Sequence, residues 1–239
     1  MEPERARYDG HSAWYDETFG AFSYEEETAF LRDRLGVGNG EICLDVACGT
    51  GLHARTAADA GYRVVGFDIS ADQLRFARRR LEVAVQADAR RLPLPDDAVS
   101  LALGMFFHTD VADFAAVVRE VARCLRSGGR FIYVGLHPCF IGPFVNRMNE
   151  SADLGLRFMP GYGDVGWADH GSGDGSGVGG RVGFHHKTLA GFLGAIADAG
   201  LNLGEVSEIP GGGVVLPRNL AIVATKIGAS RRGLQTGYG

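Results

Sequence analysis

The sequence predicts an α/β fold, a parallel, doubly wound sheet with helices on both faces. Three observations predict it. Short apolar runs alternate with helical patterns from Ile42 to Leu136, as they do in chains of strand–helix–strand units. The stretch Asp45-Val46-Ala47-Cys48-Gly49-Thr50-Gly51 follows one apolar run and precedes a helical pattern, the order of a first strand, a tight turn and a helix N-terminus. Asp68 stands 19 residues after Gly49, where the next strand-like run ends. Glycines let a backbone approach a ligand closely, and a carboxylate ending the second strand suits ribose hydroxyls.

The elements follow in order. Residues 11–35 read as helical, with Trp14, Tyr15, Phe19, Phe22, Tyr24 and Phe30 along them. Either these aromatics staple the helices to the core or they face a ligand, and Tyr15 is the best placed to do so. Ile42–Val46 is a short apolar strand between Gly40 and the Gly49 turn. Leu52–Ala60 is a helix stopped by Gly61, and Arg63–Phe67 is the second strand. Ser70 is a good N-cap for a helix over Ala71–Leu81. Val83–Ala87 and Ala98–Leu103 are strands three and four. A helix over Ala112–Leu125 ends near the Gly128-Gly129 turn, and Arg130–Leu136 is strand five. A short helical stretch is expected near Val145–Leu154. The glycine-rich tract from His170 to Gly177 is too polar to bury apolar surface. Thr188–Ala199 is an amphipathic helix, and Leu203–Ile209 and Leu220–Lys226 are the last two strands.

Four segments resemble the class I S-adenosylmethionine (SAM)-dependent methyltransferases of the small-molecule type. They are Leu44–Gly51, Val65–Ser70, Ala87-Asp88-Ala89 with Leu92–Asp96, and Arg126–Phe131. They keep that family's order and approximate spacing over residues 40–136. The Cys-Gly-Thr-Gly turn led by an acid, and Ala54 where a dinucleotide fingerprint has its third glycine, argue against a pyrophosphate cradle. The resemblance implies a Rossmann-like, seven-stranded, mostly parallel sheet with an antiparallel last strand. It implies a single methyltransferase domain over 1–239. Its parts are a helical cap (1–36), a SAM-binding core (37–136), a lid or substrate insertion (137–184), a C-terminal helix and strands (185–227) and a flexible tail (228–239).

The resemblance also implies roles at matching positions. Ala47, Cys48, Gly49, Thr50 and Gly51 would approach the amino-acid end of SAM, whose carboxylate the following helix N-terminus favours. Asp45 would orient that loop or meet the ammonium through water. Asp68 would take the ribose diol as two acceptors facing two donors. Asp88, with the Ala89 backbone, would meet the adenine amine, and Ile69 and Gln73 would border the ring. Gly104 and Met105 would offer carbonyls to the ammonium, and Tyr15 would cover the cofactor. The acceptor pocket would draw on Phe106, His137, Phe140, Phe144 and Trp167.

His108 and His137 are the candidate catalytic bases, since an unperturbed imidazole titrates near operating pH. Each has a structural alternative, capping a helix or bracing a loop. SAM is already an activated donor, so positioning supplies much of the rate and a strong base is not required. S-adenosyl-L-homocysteine would be the product.

Composition bounds the rest. A net charge of −5 argues against a phosphate-tracking surface, so the expected partner is a small-molecule acceptor and not nucleic acid. Arg75, Arg78, Arg79 and Arg80 fall at helical spacing, as on a solvated face. Cys43, Cys48, Cys124 and Cys139 show no Cys-x-x-Cys spacing, so no metal site is expected and the thiols read as reduced. No run has membrane-spanning length and the N-terminus lacks an apolar signal core. The expectation is a cytoplasmic protein without membrane partners. Three rival functions share the pattern: a non-methylating rearrangement on the same cofactor, an NAD(P)-dependent oxidoreductase, and a SAM-binding regulator.

Overall fold

The computed structural model describes residues 5–22, 24–147, 156–169, 177–210 and 216–228. A seven-stranded sheet forms its centre. Its strands are β1 (Ile42–Val46), β2 (Arg63–Asp68), β3 (Val83–Gln86), β4 (Val99–Met105), β5 (Leu125–Leu136), β10 (Leu201–Ile209) and β11 (Asn219–Lys226). The spatial order is β10-β11-β5-β4-β1-β2-β3. Strands β1 to β5 pair in parallel, and β11 runs antiparallel to both β5 and β10. The expected fold is the one observed.

Alternation along the strands explains why the apolar runs are continuous. Leu44, Ala102, Phe131, Tyr133 and Ile222 point to one face, and Cys43, Leu101, Leu103, Ile132 and Val134 to the other. Both faces are covered, so neither parity is polar. The first face packs α5 (Phe114–Cys124) and α7 (Leu189–Asp198). The second packs α2 (Glu25–Leu35), α3 (Ala54–Asp59) and α4 (Ala71–Ala77). Phe192 of α7 is fully buried between Phe114 and Tyr133, a burial worth roughly 1.5–3 kcal/mol. The helix starts are fixed by side chains. Ser70 Oγ accepts from Gln73 N at 3.0 Å, Asp113 Oδ1 from Ala116 N at 2.8 Å, and Thr188 Oγ1 from Gly191 N at 3.1 Å.

The expected helical region 11–35 is two helices, α1 (Ser12–Gly20) and α2. Carbonyls of Arg34 and Leu35 at the end of α2 accept from Arg130, and Arg34 forks onto Glu205 of β10. These contacts tie the cap to the sheet.

The insertion departs from expectation. Val145–Arg147 is a strand, β6, paired antiparallel with β7 (Leu156–Phe158). The expected helix near Val145–Leu154 is therefore not formed over Val145–Arg147, and its remainder lies outside the described residues. β8 (Gly166–Ala168) pairs with β9 (Phe184–His186), and α6 (Val178–Val182) lies between them. Most of the glycine tract, 170–176, and the tail 229–239 lie outside the described residues. Among the described residues no helix is long and apolar enough to cross a membrane.

Candidate active site

The sheet order changes direction at β1, with β2 on one side and β4 on the other. Such a switch point leaves a crevice beyond the strands' carboxyl ends. A cavity sits there. Asp45 and the loop Ala47–Thr50 line it from β1, Asp68 and Ile69 from β2, Asp88 to Arg90 after β3, and Met105 to Phe107 from β4. Arg5 to Tyr8 and Tyr15 close it from the N-terminal side.

The loop after β1 bends back sharply. Cys48 N donates to Phe67 O at 3.0 Å, and Gly49 has φ +55°. Gly66 of β2 makes room for it, since a Cβ there would lie 2.8 Å from Cys48 Sγ. Ala47, with φ +53°, and Phe106, with φ +58°, also hold left-handed backbone. Side-chain-bearing residues adopt that conformation at a cost of order 1–3 kcal/mol. Both of these residues face the cavity.

The electrostatics of the cavity are unusual. Asp68 Oδ2 accepts from Gly49 N at 2.9 Å and Oδ1 from Ser70 N at 2.8 Å. Each oxygen keeps a lone pair for a further donor. Burial still pushes the Asp68 carboxyl above its ordinary range. Burial, and then the charge of Asp68, pushes Asp45 up to about 7. Asp110 also reaches about 7 by burial, although Tyr8 donates to its Oδ1 at 3.2 Å. Asp88 is different, because the Arg90 guanidinium grips both its oxygens and holds its carboxyl low. Burial drives His53 down to about 4, so it is neutral.

Two side-chain oxygens at the cavity wall, Thr50 Oγ1 and Gln73 Oε1, are buried without a partner among the described residues. A buried polar atom left unpaired costs about 1–3 kcal/mol, which a bound donor removes. Raised carboxylates and orphaned oxygens in one crevice suit a cationic ligand rich in N–H and O–H donors. SAM is such a ligand. The residues present fit it.

Most sequence-predicted residues gather here: Tyr15, Asp45, Ala47, Cys48, Gly49, Thr50, Asp68, Ile69, Gln73, Asp88, Ala89, Met105 and Phe106. Gly51 and Gly104 stand behind the wall. Gly51 packs on Ala77, and a Cβ on Gly104 would lie 2.5 Å from Phe107 Cε1. Gln73 aims its amide oxygen toward Gly49, within 3.6 Å of where a Cβ would stand, and so toward the glycine loop.

Six expectations differ from the structure. The two histidines do not line the cavity. His108 is buried among Phe114, Tyr133 and Phe192, and its Nδ1 meets Tyr133 Oη at 2.5 Å. Burial drives its pKa well down, so it is a core residue and not a base. His137 is buried and has both nitrogens engaged, Nε2 with Glu208 at 3.0 Å and Nδ1 with Cys139 N at 3.1 Å. Phe140 stacks on His137, and Phe144 packs on Tyr162 and His186. Neither phenylalanine reaches the cavity lining, and Trp167 lines an adjoining groove instead. The sixth is the helix over Val145–Arg147 described above.

Sequence reasoning missed Tyr8, His53, Arg90 and Asp110. Asp110 follows the β4 end closely enough to have been found. Tyr8 carries no local signal. No metal-holding group of His, Cys, Asp and Glu occurs among the described residues.

Residues 44–133 match the model of the methyltransferase domain family. A demethylmenaquinone methyltransferase of Mycobacterium marinum is 34% identical over 131 residues, which are 52% of this chain and 55% of the relative. The chain spans about half the length of the curated relatives it matches. Among solved structures, a SAM-dependent methyltransferase from Mesorhizobium loti superposes with a TM-score of 0.70 at 24% identity, covering 85% of this chain and 99% of that one. The cyclase SpnF shares the fold at a TM-score of 0.59 and 17% identity, covering 88% and 84%. Residues 44–133 thus match a methyltransferase domain, and the sheet and crevice around them have the fold of solved SAM-dependent methyltransferases.

Proposed function

We propose that the chain transfers the methyl group of SAM to a small organic acceptor. The observation that carries this is the cavity itself, with Asp68 pinned by Gly49 N and Ser70 N and with Thr50 Oγ1 and Gln73 Oε1 unpaired beside it. Asp68 takes the ribose diol. Thr50 and Gln73 lie at the glycine loop, where the amino-acid end seats, and Asp45 supplies the nearby negative charge. Asp88, oriented by Arg90, faces the adenine with Ala89 and Ile69. When bound, SAM supplies a methyl group already activated by its sulfonium. The protein's task is to align the acceptor in line with that methyl and to exclude water. Phe106 and Phe107 supply apolar wall, and Asp110, a cavity carboxylate without an arginine fork, is able to hold an acceptor proton. The names of the sequence relatives support a small-molecule acceptor.

The SpnF likeness keeps a second chemistry in view, rearrangement on the same cofactor scaffold, because fold does not fix reaction. The deciding experiment is calorimetric titration with S-adenosylhomocysteine, NAD and NADP on wild type and Asp68→Ala, followed by product analysis. The expected result is binding of S-adenosylhomocysteine alone, weakened on the order of a hundredfold or more in the variant. Binding of a dinucleotide instead would overturn the cofactor. Turnover without release of S-adenosylhomocysteine would favour rearrangement.

A further inference from the structure

Beside the cavity lies a groove of opposite character. Arg5, Ala6 and Arg7 form the wall that the two share. The cavity side carries Asp45, Asp68 and Asp110, and the groove side carries Arg5, Arg7 and Arg181. The arginines are set on aromatic faces. The Arg7 guanidinium lies 3.7 Å from the ring centre of Trp167, and that of Arg181 lies 4.2 Å from Trp14. Arg7 is further held by His185 Nε2 at 3.2 Å. Stacking fixes the plane of the Arg181 guanidinium and leaves its N–H edge for another partner. Of the groove's carboxylates, Asp9 already accepts from Ser70 Oγ at 2.5 Å, and Asp169 has a partner of its own. Neither Arg5 nor Arg181 makes an ion pair among the described residues. The groove's described lining comes from Arg5 to Arg7, Asp9 and His11 on one side and from Trp167, Asp169 and Gly180 to Gly183 on the other, outside the segment 44–133 that matches the family model.

We infer that this groove is the acceptor's anchoring subsite and that it takes an oxyanion, a carboxylate or a phosphate, carried by the acceptor. The inference rests on the methyltransferase reading only in assigning the anion to the acceptor. An acceptor must put its nucleophilic atom into the carboxylate-lined cavity beside the methyl donor. An oxyanion on the same molecule is repelled from that cavity and attracted to the arginine edges across the shared wall. The two polarities thus orient the acceptor with its nucleophile inward. Guanidinium forks match the paired oxygens of carboxylate and phosphate alike.

Both tryptophans of the chain, Trp14 and Trp167, lie under these arginines, so their fluorescence reports the groove directly. Titration with sodium benzoate and with inorganic pyrophosphate, at constant ionic strength set by chloride, is the test. The expected result is a saturable change for at least one probe, and the tighter probe identifies the source as carboxylate or phosphate. Arg181→Gln should weaken it on the order of tenfold, with the affinity for S-adenosylhomocysteine unchanged by calorimetry. Saturating S-adenosylhomocysteine should leave the anion response in place. A response that only follows ionic strength, one that survives Arg181→Gln, or one competed away by S-adenosylhomocysteine would overturn the subsite. Loss of S-adenosylhomocysteine binding with the anion response intact would instead strike the methyltransferase reading alone.

Discussion

At the scale of the residue, backbone conformation and charge at the cavity say most. Ala47 holds φ +53° where a glycine would be unstrained. Left-handed backbone costs an L-residue roughly 1–2 kcal/mol, while a glycine loses about 0.5–1 kcal/mol more chain entropy on folding. Ala47→Gly should therefore raise stability by about 0.5–1 kcal/mol in urea unfolding and leave the affinity for S-adenosylhomocysteine within about threefold. A loss of stability would mean that the alanine methyl makes contacts outweighing the strain. The sequence made Asp68 visible because strand register places it opposite the glycine turn. It could place Asp110 near the β4 end but could not show its partner. That carboxylate is buried by Tyr8, a residue 102 positions away, and no local pattern encodes such a meeting. The histidines misled for a related reason. A strand end marks the mouth of the site, but whether a side chain there turns into the cavity or into the core depends on Tyr133, Phe192 and Glu208, which arrive from distant elements.

At the scale of the element, periodicity sufficed for the sheet and its helices, because each buries a continuous apolar face. It failed in the insertion. Val145–Arg147 pairs with Leu156–Phe158, and a three-residue strand has too few positions to show a period. The N-terminal segment shows how one residue joins elements. Ser70 caps α4 by accepting from Gln73 N, and its hydroxyl also donates to Asp9 Oδ1. Ser70→Ala should cost about 1 kcal/mol from the lost cap. It should also loosen residues 9–11 beside the cavity, since Asp9 loses the Ser70 hydroxyl while Gly10 N to Asp72, Tyr8 to Asp110 and Arg7 to His185 remain. Hydrogen exchange should quicken in residues 9–11 and at the start of α4 while α5 keeps its protection. Equal quickening throughout would show global destabilisation and no specific latch.

At the scale of the whole molecule, the buried ionisable groups couple stability, pH and ligand. Asp45 and Asp110 titrate near 7 against an ordinary value of 3.8. Between those values the folded chain binds more protons than the unfolded one. The stability they contribute is full below about pH 4 and is lost as pH rises through 7. His53 and His185, held near 4 by burial against 6.5, act oppositely, because the unfolded chain binds the extra protons and stability rises with pH over that range. His108, His137 and His186, also held low by burial, add to the histidine side, and the carboxylate loss prevails above about pH 7. Ligand-free Tm should therefore fall from about pH 7 to 8. The ammonium of S-adenosylhomocysteine favours the ionised carboxylates, so its binding expels protons and tightens as pH rises. The Tm increase it produces, which follows ligand concentration over Kd, should be larger at pH 8 than at pH 6.5, and Asp45→Asn should reduce that difference. A ligand-induced shift equal at both pH values in wild type would mean that Asp45 and Asp110 do not face the bound cation, and the cationic-ligand assignment of the cavity would fall with it.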